Sequence, residues 1–363
     1  MNTRLIAGCM SGTSLDAIDA ALIRVEGHGL DMNVEVIRCA SKPLGSLGKL
    51  LRPLARQRRQ TSQQVAKLGS MLGAAHAEVL NELVQGEKVD LVAVHGQTVF
   101  HEAPLSMQLL NPHPIARQLG APVVFDLRGA DLAAGGQGAP ITPLADHVLF
   151  RDDKHTRAVV NLGGFANFTW LPPSRREGEE ALRSIRGGDI CVCNQLLDTV
   201  SRRCFHKPYD KDGKRAMRGE ADEDAHCALL AILKMQAEAG RSLGNGDELT
   251  EWVDVFFNEC TGHDLARTAA LTIGQVIANA VGETDQIVLA GGGTHNQALR
   301  REITDHAHAP VCLSDDLGAP AQYREAIAMA ILGGLCADRV PITLPQITGC
   351  PLTAPVAGCW IYP

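Results

Sequence analysis

Aromatic side chains are scarce, with 3 Trp, 3 Tyr and 8 Phe making up 4% of 363 residues. The apolar interior therefore has to come from Leu, Val, Ile and small residues, a balance suited to closely packed helices and strands. Excess positive charge is lacking too. The 34 Lys and Arg stand against 41 Asp and Glu, a net charge of −7, so no global positive field draws nucleic acid or an anionic membrane to the chain. Any anionic ligand has to be held locally. The longest uncharged helical stretch, after Arg267, falls short of the ~18 to 20 apolar residues of a membrane span. A Gly/Ser/Thr cluster follows within about ten residues of Met1, which leaves no room for a signal-peptide apolar core. The 11 Cys are odd in number and irregularly spaced, unlike the paired framework of a small secreted domain. A soluble cytoplasmic protein with reduced thiols is the expectation. At ~100 to 200 residues per domain, the length predicts two domains or one large α/β unit.

Familiar nucleotide and hydrolase signatures are also missing. No G-x-x-x-x-G-K-S/T occurs, and no G-x-G-x-x-G follows a strand, so a Walker loop and a dinucleotide fingerprint have no support. G-x-S-x-G and H-E-x-x-H are absent as well, which weakens serine-hydrolase and zincin readings.

The chain instead reads as two cycles of strands and Gly-rich turns. RLIAGCMSGTSLDAIDAALIRV predicts a hairpin, VEVIRCA (34–40) a third strand, and 61–83 a helix with Thr61 or Ser62 as N-cap. DLVAVHGQTVF (90–100) reads as a strand ending in His-Gly-Gln-Thr, PHPIARQLG as helical, and APVVFDLR (121–128) as another strand. A second cycle opens near Thr156, where TRAVVNLGGFANFTWL gives strand, turn and strand. PPSRREGEE (172–180) reads as a surface loop, GGDICVCNQLLDTVSRR as a short β segment leading into a helix, and 222–283 as mainly helical. DQIVLAGGGTHNQALRREI then gives strand, three-glycine turn and helix, and the Pro- and Gly-rich end from Pro341 packs back on the body. This rhythm implies a mixed or parallel sheet covered by helices.

Several turns carry chemistry. Met10 to Asp16 offers successive backbone N–H groups and hydroxyls suited to phosphate oxygens, and Asp16 with Asp19 suits a hydrated Mg²⁺. A polar hairpin turn would use the same residues. Gly291-Gly292-Gly293-Thr294-His295-Asn296, between strand and helix, permits close approach of an anion; a tight β-to-α turn is the plainer reading. GADLAAGGQGAPITP (129–143), with Arg128 before it and Asp131 and Gln137 within, suits wrapping a sugar or crossing between domains. His95 to Thr98 place polar groups at a strand end, the usual ligand edge of an open α/β sheet. Asp189 follows two glycines where an apolar segment begins, and desolvation there would raise its basicity; capping the next helix is the alternative. Cys191 and Cys193 lack a second pair at zinc spacing, so buried thiols are expected.

Taken in order, GCMSGTSLDAID, VHGQT, DLRGADLAAGGQGAPITP, VVNLGGFAN, KPYDKDGKRAMRGE, AGGGTHN, REAIAMAIL and TGCPLTAPVAG resemble the anhydro-N-acetylmuramic acid kinases of the sugar kinase, Hsp70 and actin superfamily. The match spans nearly the whole chain. It implies an α/β, two-domain actin-like ATPase fold with an interdomain cleft, one subdomain being 1–127 plus 341–363 and the other 128–340. ATP with Mg²⁺, water and 1,6-anhydro-N-acetylmuramic acid would yield N-acetylmuramic acid 6-phosphate and ADP in peptidoglycan recycling. By resemblance, Gly12, Thr13, Ser14, Leu15 and Asp16 form the phosphate turn, with Asp16 a weak metal ligand. Gly163, Gly164, Gly291, Gly292 and Gly293 face the nucleotide, and Asp189 is the catalytic base. His95, Gln97, Arg128, Asp131, Gln137, Asn194 and Glu325 lie towards the sugar. The family also implies a homodimer. Two departures stand out: Ala17 replaces a usual Gly, and Ile190-Cys191-Val192-Cys193-Asn194 replaces Thr or Cys followed by Gly-Pro-Gly-Asn. A kinase for another anhydrosugar, such as levoglucosan, and a catalytically weak sugar- or nucleotide-binding protein are the alternatives that this altered loop raises.

Overall fold

A computed structural model describes residues 3–174, 179–244, 246–351 and 355–363. Part of the expected surface loop (175–178) and part of the terminal motif (352–354) lie outside the described residues. The chain divides into two compact units, Met1–Phe150 with Tyr323–Pro363, and Arg151–Gln322. The sequence expectation puts these boundaries at 127/128 and 340/341 instead.

The first unit opens with an antiparallel meander of β1 (Thr3–Ser11), β2 (Ala17–Glu26) and β3 (Asn33–Pro43). Helices α1 (Gly45–Ala55) and α2 (Ser62–Val84) follow. Thr61 starts α2 through a capping box, its hydroxyl accepting from Gln64 N–H while the Gln64 side chain accepts from Thr61 N–H, so two otherwise orphaned donors are satisfied. Strand β4 (Leu91–His95) then pairs parallel to β1. The expected single strand 90–100 is broken at Gly96. Gln97 begins β5 (Gln97–Glu102), which forms a separate hairpin with β6 (Leu105–Leu109), and a side chain at Gly96 would crowd Leu109 O at 2.8 Å. After α3 (His113–Leu119) comes β7 (Val123–Phe125), parallel to β4. It is shorter than expected because Asp126 turns at φ 53° and its carboxylate accepts from Gly129 N–H, at the start of α4 (Gly129–Ala133). Helix α5 (Pro143–Phe150) closes this segment.

The second unit repeats the pattern. Strands β8 (Arg157–Leu162) and β9 (Phe165–Leu171), helix α6 (Glu179–Ser184) and strand β10 (Arg186–Val192) provide the meander. Helices α7 (Asn194–Phe205), α8 (Glu223–Glu238), α9 (Thr250–Phe256) and α10 (Gly262–Ala280) lead to β11 (Gln286–Ala290), parallel to β8. Helix α11 (Gln297–His306) and β12 (Val311–Leu313) complete it. The sheet order is β10-β9-β8-β11-β12, and the first unit has β3-β2-β1-β4-β7. Both units therefore place the first strand of the meander next to the first parallel strand.

The chain then returns to the first unit through α12 (Arg324–Ala337), α13 (Pro345–Thr348) and β13 (Cys359–Ile361), which pairs with β7 as an edge strand. Alternation along β1 explains why α12 belongs here. Ala7 and Cys9 join Leu72 and Leu80 of α2 in one apolar cluster, while Gly8 points to the opposite face. A Cβ on Gly8 would overlap Ala326 O and Ala330 N of α12. Helix α12 therefore lies directly against the β1 backbone. Segment 128–150 stays in the same unit because Arg128 bonds His95 and Asp146 pairs with Arg324.

Gly8→Ala is expected to destabilise the protein by ~2 to 3 kcal/mol, because the obstruction is helix backbone that cannot give way locally. Urea unfolding checks this; a midpoint equal to that of the parent chain would show that α12 can move outward without cost.

Candidate active site

Two strand ends meet in the first unit because Met10 of β1 lies opposite His95 of β4. The turn after β1 is closed by Leu15 N–H donating to Gly12 O at 3.1 Å. Leu15 takes φ 59° and buries its side chain. It anchors the turn, and its N–H is not available to a phosphate. Thr13, Ser14 and Asp16 are exposed, and the Arg52 guanidinium lies 3.8 Å from the Asp16 carboxylate.

Beneath the turn lies a buried polar group. His95 Nε2 accepts from Arg128 Nε at 2.9 Å, and a second guanidinium nitrogen of Arg128 donates to Gly138 O at 2.7 Å. Burial, reinforced by the Arg128 charge, holds His95 neutral with a pKa of about 3. Gln97 is fully buried and donates to Thr98 O at 3.2 Å. Ser11 Oγ, Asp19 Oδ1, His95 Nδ1 and Gln97 Oε1 are all buried without a protein partner. Orphaned polar atoms are rare in folded proteins, and several at one strand edge point to a ligand or ordered water. Burial raises the Asp19 pKa against a lowering bond from Ser41. Glu325, half-buried at the start of α12, is raised by burial, against the Arg324 charge that lowers it, and further by Asp19.

Other expected sugar contacts have structural duties. Asp131 is 1% exposed, and its two oxygens accept from Gly138 N–H and the Thr348 hydroxyl, each at 2.8 Å. It braces the 129–143 loop. Gln137 N–H donates to Thr348 O at 2.8 Å, leaving its side chain exposed. Sequence reasoning missed the pair that sets Glu325 in place. Arg324 and Asp146 are each 1% exposed and joined by two hydrogen bonds, one of them Nε to Oδ1 at 2.9 Å. They lie 178 residues apart, so no local pattern announces them.

In the second unit β8 and β11 pair in parallel with Asn161 opposite Ala290, and the glycine turns leave from these adjacent ends. Gly291 takes φ 87°, and a Cβ there would crowd Asn161 Oδ1 at 2.7 Å. A Cβ on Gly293 would meet Leu162 Cβ at 2.6 Å and Asn194 Oδ1 at 2.9 Å. Asn194 Nδ2 donates to Leu162 O at 2.9 Å, so Asn194 locks the two turns together. Gly163 and Gly164 carbonyls accept the N–H groups of Cys193, Asn194 and Gln195 at the start of α7. Gly292 is exposed, and its missing side chain leaves open space. Backbone access at that point fits a nucleotide.

Asp189 lies within β10, beside a bulge between Asp189 and Cys191. It is half-buried, and its Oδ2 accepts from Leu243 N–H at 2.7 Å. Ile190 to Cys193 are buried and belong to the apolar core of this unit. Burial pushes the Cys193 thiol up to about 12 and Cys191 higher than an ordinary thiol, which matches the expectation of inert buried thiols. Among the described residues no group of three or more His, Cys, Asp or Glu side chains gathers to hold a metal. Mg²⁺ prefers one or two carboxylates with waters and phosphates. The exposed Asp16 and the bare Asp19 oxygen fit a hydrated ion of that kind, and no protein cage does.

The doubled strand order, with glycine turns at the shared ends, defines an α/β protein of the actin-like fold class. A family model described as anhydro-N-acetylmuramic acid kinase matches residues 4–362, and the chain belongs to this family. It is 32% identical over 385 residues to the anhydro-N-acetylmuramic acid kinase of Salinibacter ruber, covering 98% of this chain and 96% of that one. It is 35% identical over 364 residues to that of Bordetella pertussis, covering 95% and 93%. Among solved structures it is similar to component A of the Acidaminococcus fermentans (R)-2-hydroxyglutaryl-CoA dehydratase, with TM-score 0.47, 12% identity and coverage of 91% and 98%. No helix of the described residues is long and apolar enough to cross a membrane.

Removing the Asp146 carboxylate leaves the Arg324 guanidinium buried and uncompensated, so Asp146→Ala is expected to cost ~3 to 5 kcal/mol, read as a lower urea midpoint. A second prediction concerns pH. Fully buried His76 has its pKa lowered by desolvation to about 4, against 6.5 for a free side chain. Below 6.5 the unfolded chain takes up protons that the folded chain refuses, so stability is full above 6.5 and falls as pH drops towards 4. His76→Leu, which cannot charge, is expected to flatten that slope; equal slopes would show that His76 titrates normally.

Proposed function

We propose that this chain phosphorylates 1,6-anhydro-N-acetylmuramic acid with ATP while opening the anhydro bridge with water, giving N-acetylmuramic acid 6-phosphate and ADP. The observation that carries the proposal is the setting of Asp189, the acid that the resemblance implies as base: it lies on a bulged strand, half-buried, with a backbone donor fixing one oxygen. As water attacks C1, Asp189 takes its proton; the C1–O6 bond breaks, and O6 forms its new bond to the γ-phosphorus as the β,γ-bridging oxygen leaves with ADP. A single carboxylate thus serves both bond changes, and general-base help of this kind is worth ~10²- to 10⁴-fold.

The same reading assigns the ATP phosphates to Gly12, Thr13 and Ser14, and the nucleotide to Gly163, Gly164 and Gly291 to Gly293. Asp16, with Asp19, would hold hydrated Mg²⁺, which when bound spreads charge on the transferred phosphoryl group. Neutral His95, Gln97 and Glu325 would receive sugar hydroxyls, supported by the orphaned atoms of that edge. Arg128, Asp131 and Asn194 act by holding the surrounding backbone, and Gln137 offers an exposed amide. Cytoplasmic location, supported by eleven unpaired thiols, and a homodimer belong to the same proposal. The relatives named for the anhydromuramic substrate, at full length, favour it over levoglucosan or a binding-only role.

Purified protein, Mg-ATP and a panel of anhydrosugars, followed by mass spectrometry, test the reading. A product that gains both water and phosphate is expected with the anhydromuramic sugar; none from it would sink the assignment. Asp189→Asn is expected to lower turnover at least ~10²-fold with folding intact, and undiminished turnover would remove Asp189 as the base.

A further inference from the structure

We infer that Gln236 is a positioning residue for Asp189, acting through a clasp that joins α8 and β10 to Arg241, Leu243, Gly244 and Asp247. The inference rests on Asp189 being the base. A β-bulge lets a strand re-aim a side chain, yet leaves the ladder locally broken, and the break here falls between Asp189 and Cys191. Gln236, 7% exposed on α8, bridges that weak point. Its Oε1 accepts from Val192 N–H, and its Nε2 donates to Asp247 O, both at 2.9 Å. Asp247 in turn folds the segment onto itself. Its carboxylate accepts from Arg241 at 2.9 and 2.6 Å and from Gly244 N–H at 2.9 Å. Between those anchors Leu243 N–H reaches Asp189 Oδ2 at 2.7 Å.

One buried amide thus ties the strand carrying Asp189 to the segment that supplies its donor. Both ends of the Leu243–Asp189 bond are referenced to the same side chain. A donor on a carboxylate favours its charged form, and Arg241 places a positive charge that Asp189 feels. The clasp therefore holds Oδ2 against its backbone donor and favours the charged form of the base.

Steady-state kinetics across pH on the full chain, with the anhydromuramic sugar and Mg-ATP, test this with Gln236→Leu, Gln236→Glu, Arg241→Ala and Asp189→Asn. Gln236→Leu removes both ties, Gln236→Glu keeps the acceptor for Val192, and Arg241→Ala opens the clasp from its exposed side without touching the core. Loosening a reacting group costs on the order of 10- to 100-fold. The expected result is a kcat fall of that size in Gln236→Leu and Arg241→Ala, with the acid limb of kcat moved to higher pH, KM for ATP within about twofold of the parent, and Gln236→Glu in between. If Arg241→Ala keeps the parental kcat and acid limb, while Gln236→Leu lowers only the thermal midpoint, the clasp is structural and the inference fails. Full turnover in Asp189→Asn would instead remove the base assignment, a distinct failure.

Discussion

Parallel pairing between the first strand of each meander and the strand that follows it is the constraint on which the rest depends. Parallel strands finish at the same side of a sheet, so the loops leaving them share an edge. Met10 opposite His95 does this in one unit, and Asn161 opposite Ala290 does it in the other. The glycine turns leave from these ends, Asp19 from the strand beside β1, Glu325 from a helix laid against it, and Asp189 from β10, one strand beyond the neighbour of β8. Had β4 or β11 run antiparallel, the glycine turns would have emerged at opposite ends and no joint site could form in either unit.

The two edges are stabilised in different ways. In the second unit Asn194 joins Leu162, the α7 N–H groups meet the Gly163 and Gly164 carbonyls, and Gly293 fits where no side chain would, while Asn161 Oδ1 is left buried without a protein partner. That edge is a rigid frame. The first unit leaves Ser11, Asp19, His95 and Gln97 with orphaned atoms, and keeps Asp19 and Glu325 in surroundings that disfavour their charges. Folding alone does not repay such an arrangement, and the buried Arg324–Asp146 pair and the braced Asp131 loop hold it in place. Local violations of this kind are expected where a ligand completes the network.

Much of the architecture was legible in the sequence. The first hairpin, the Thr61-capped helix, the Gly163-Gly164 hairpin and the strand, glycine turn and helix around Gly291 all follow from nearest-neighbour patterns, and each is an element whose hydrogen bonds close locally. The expectations that shifted were those set by distant contacts. Gly96 breaks a continuous apolar run because Leu109 crowds it, Asp126 shortens β7, and Leu15 spends its N–H inside its own turn. Asp131 and Arg128 suit sugar contact by residue type, and their protein partners, Thr348 and His95, lie far along the chain.

Residue order was therefore sufficient for the element types, the two-cycle rhythm and the family resemblance, because those depend on short-range propensity and on motifs a few residues long. Folding in three dimensions was needed for the unit boundaries, the Arg324–Asp146 pair and the amide of Gln236 that reaches both Val192 and Asp247. These rest on close approaches between segments tens to hundreds of residues apart, where one buried partner decides the energy and nothing in either segment's own pattern identifies the other.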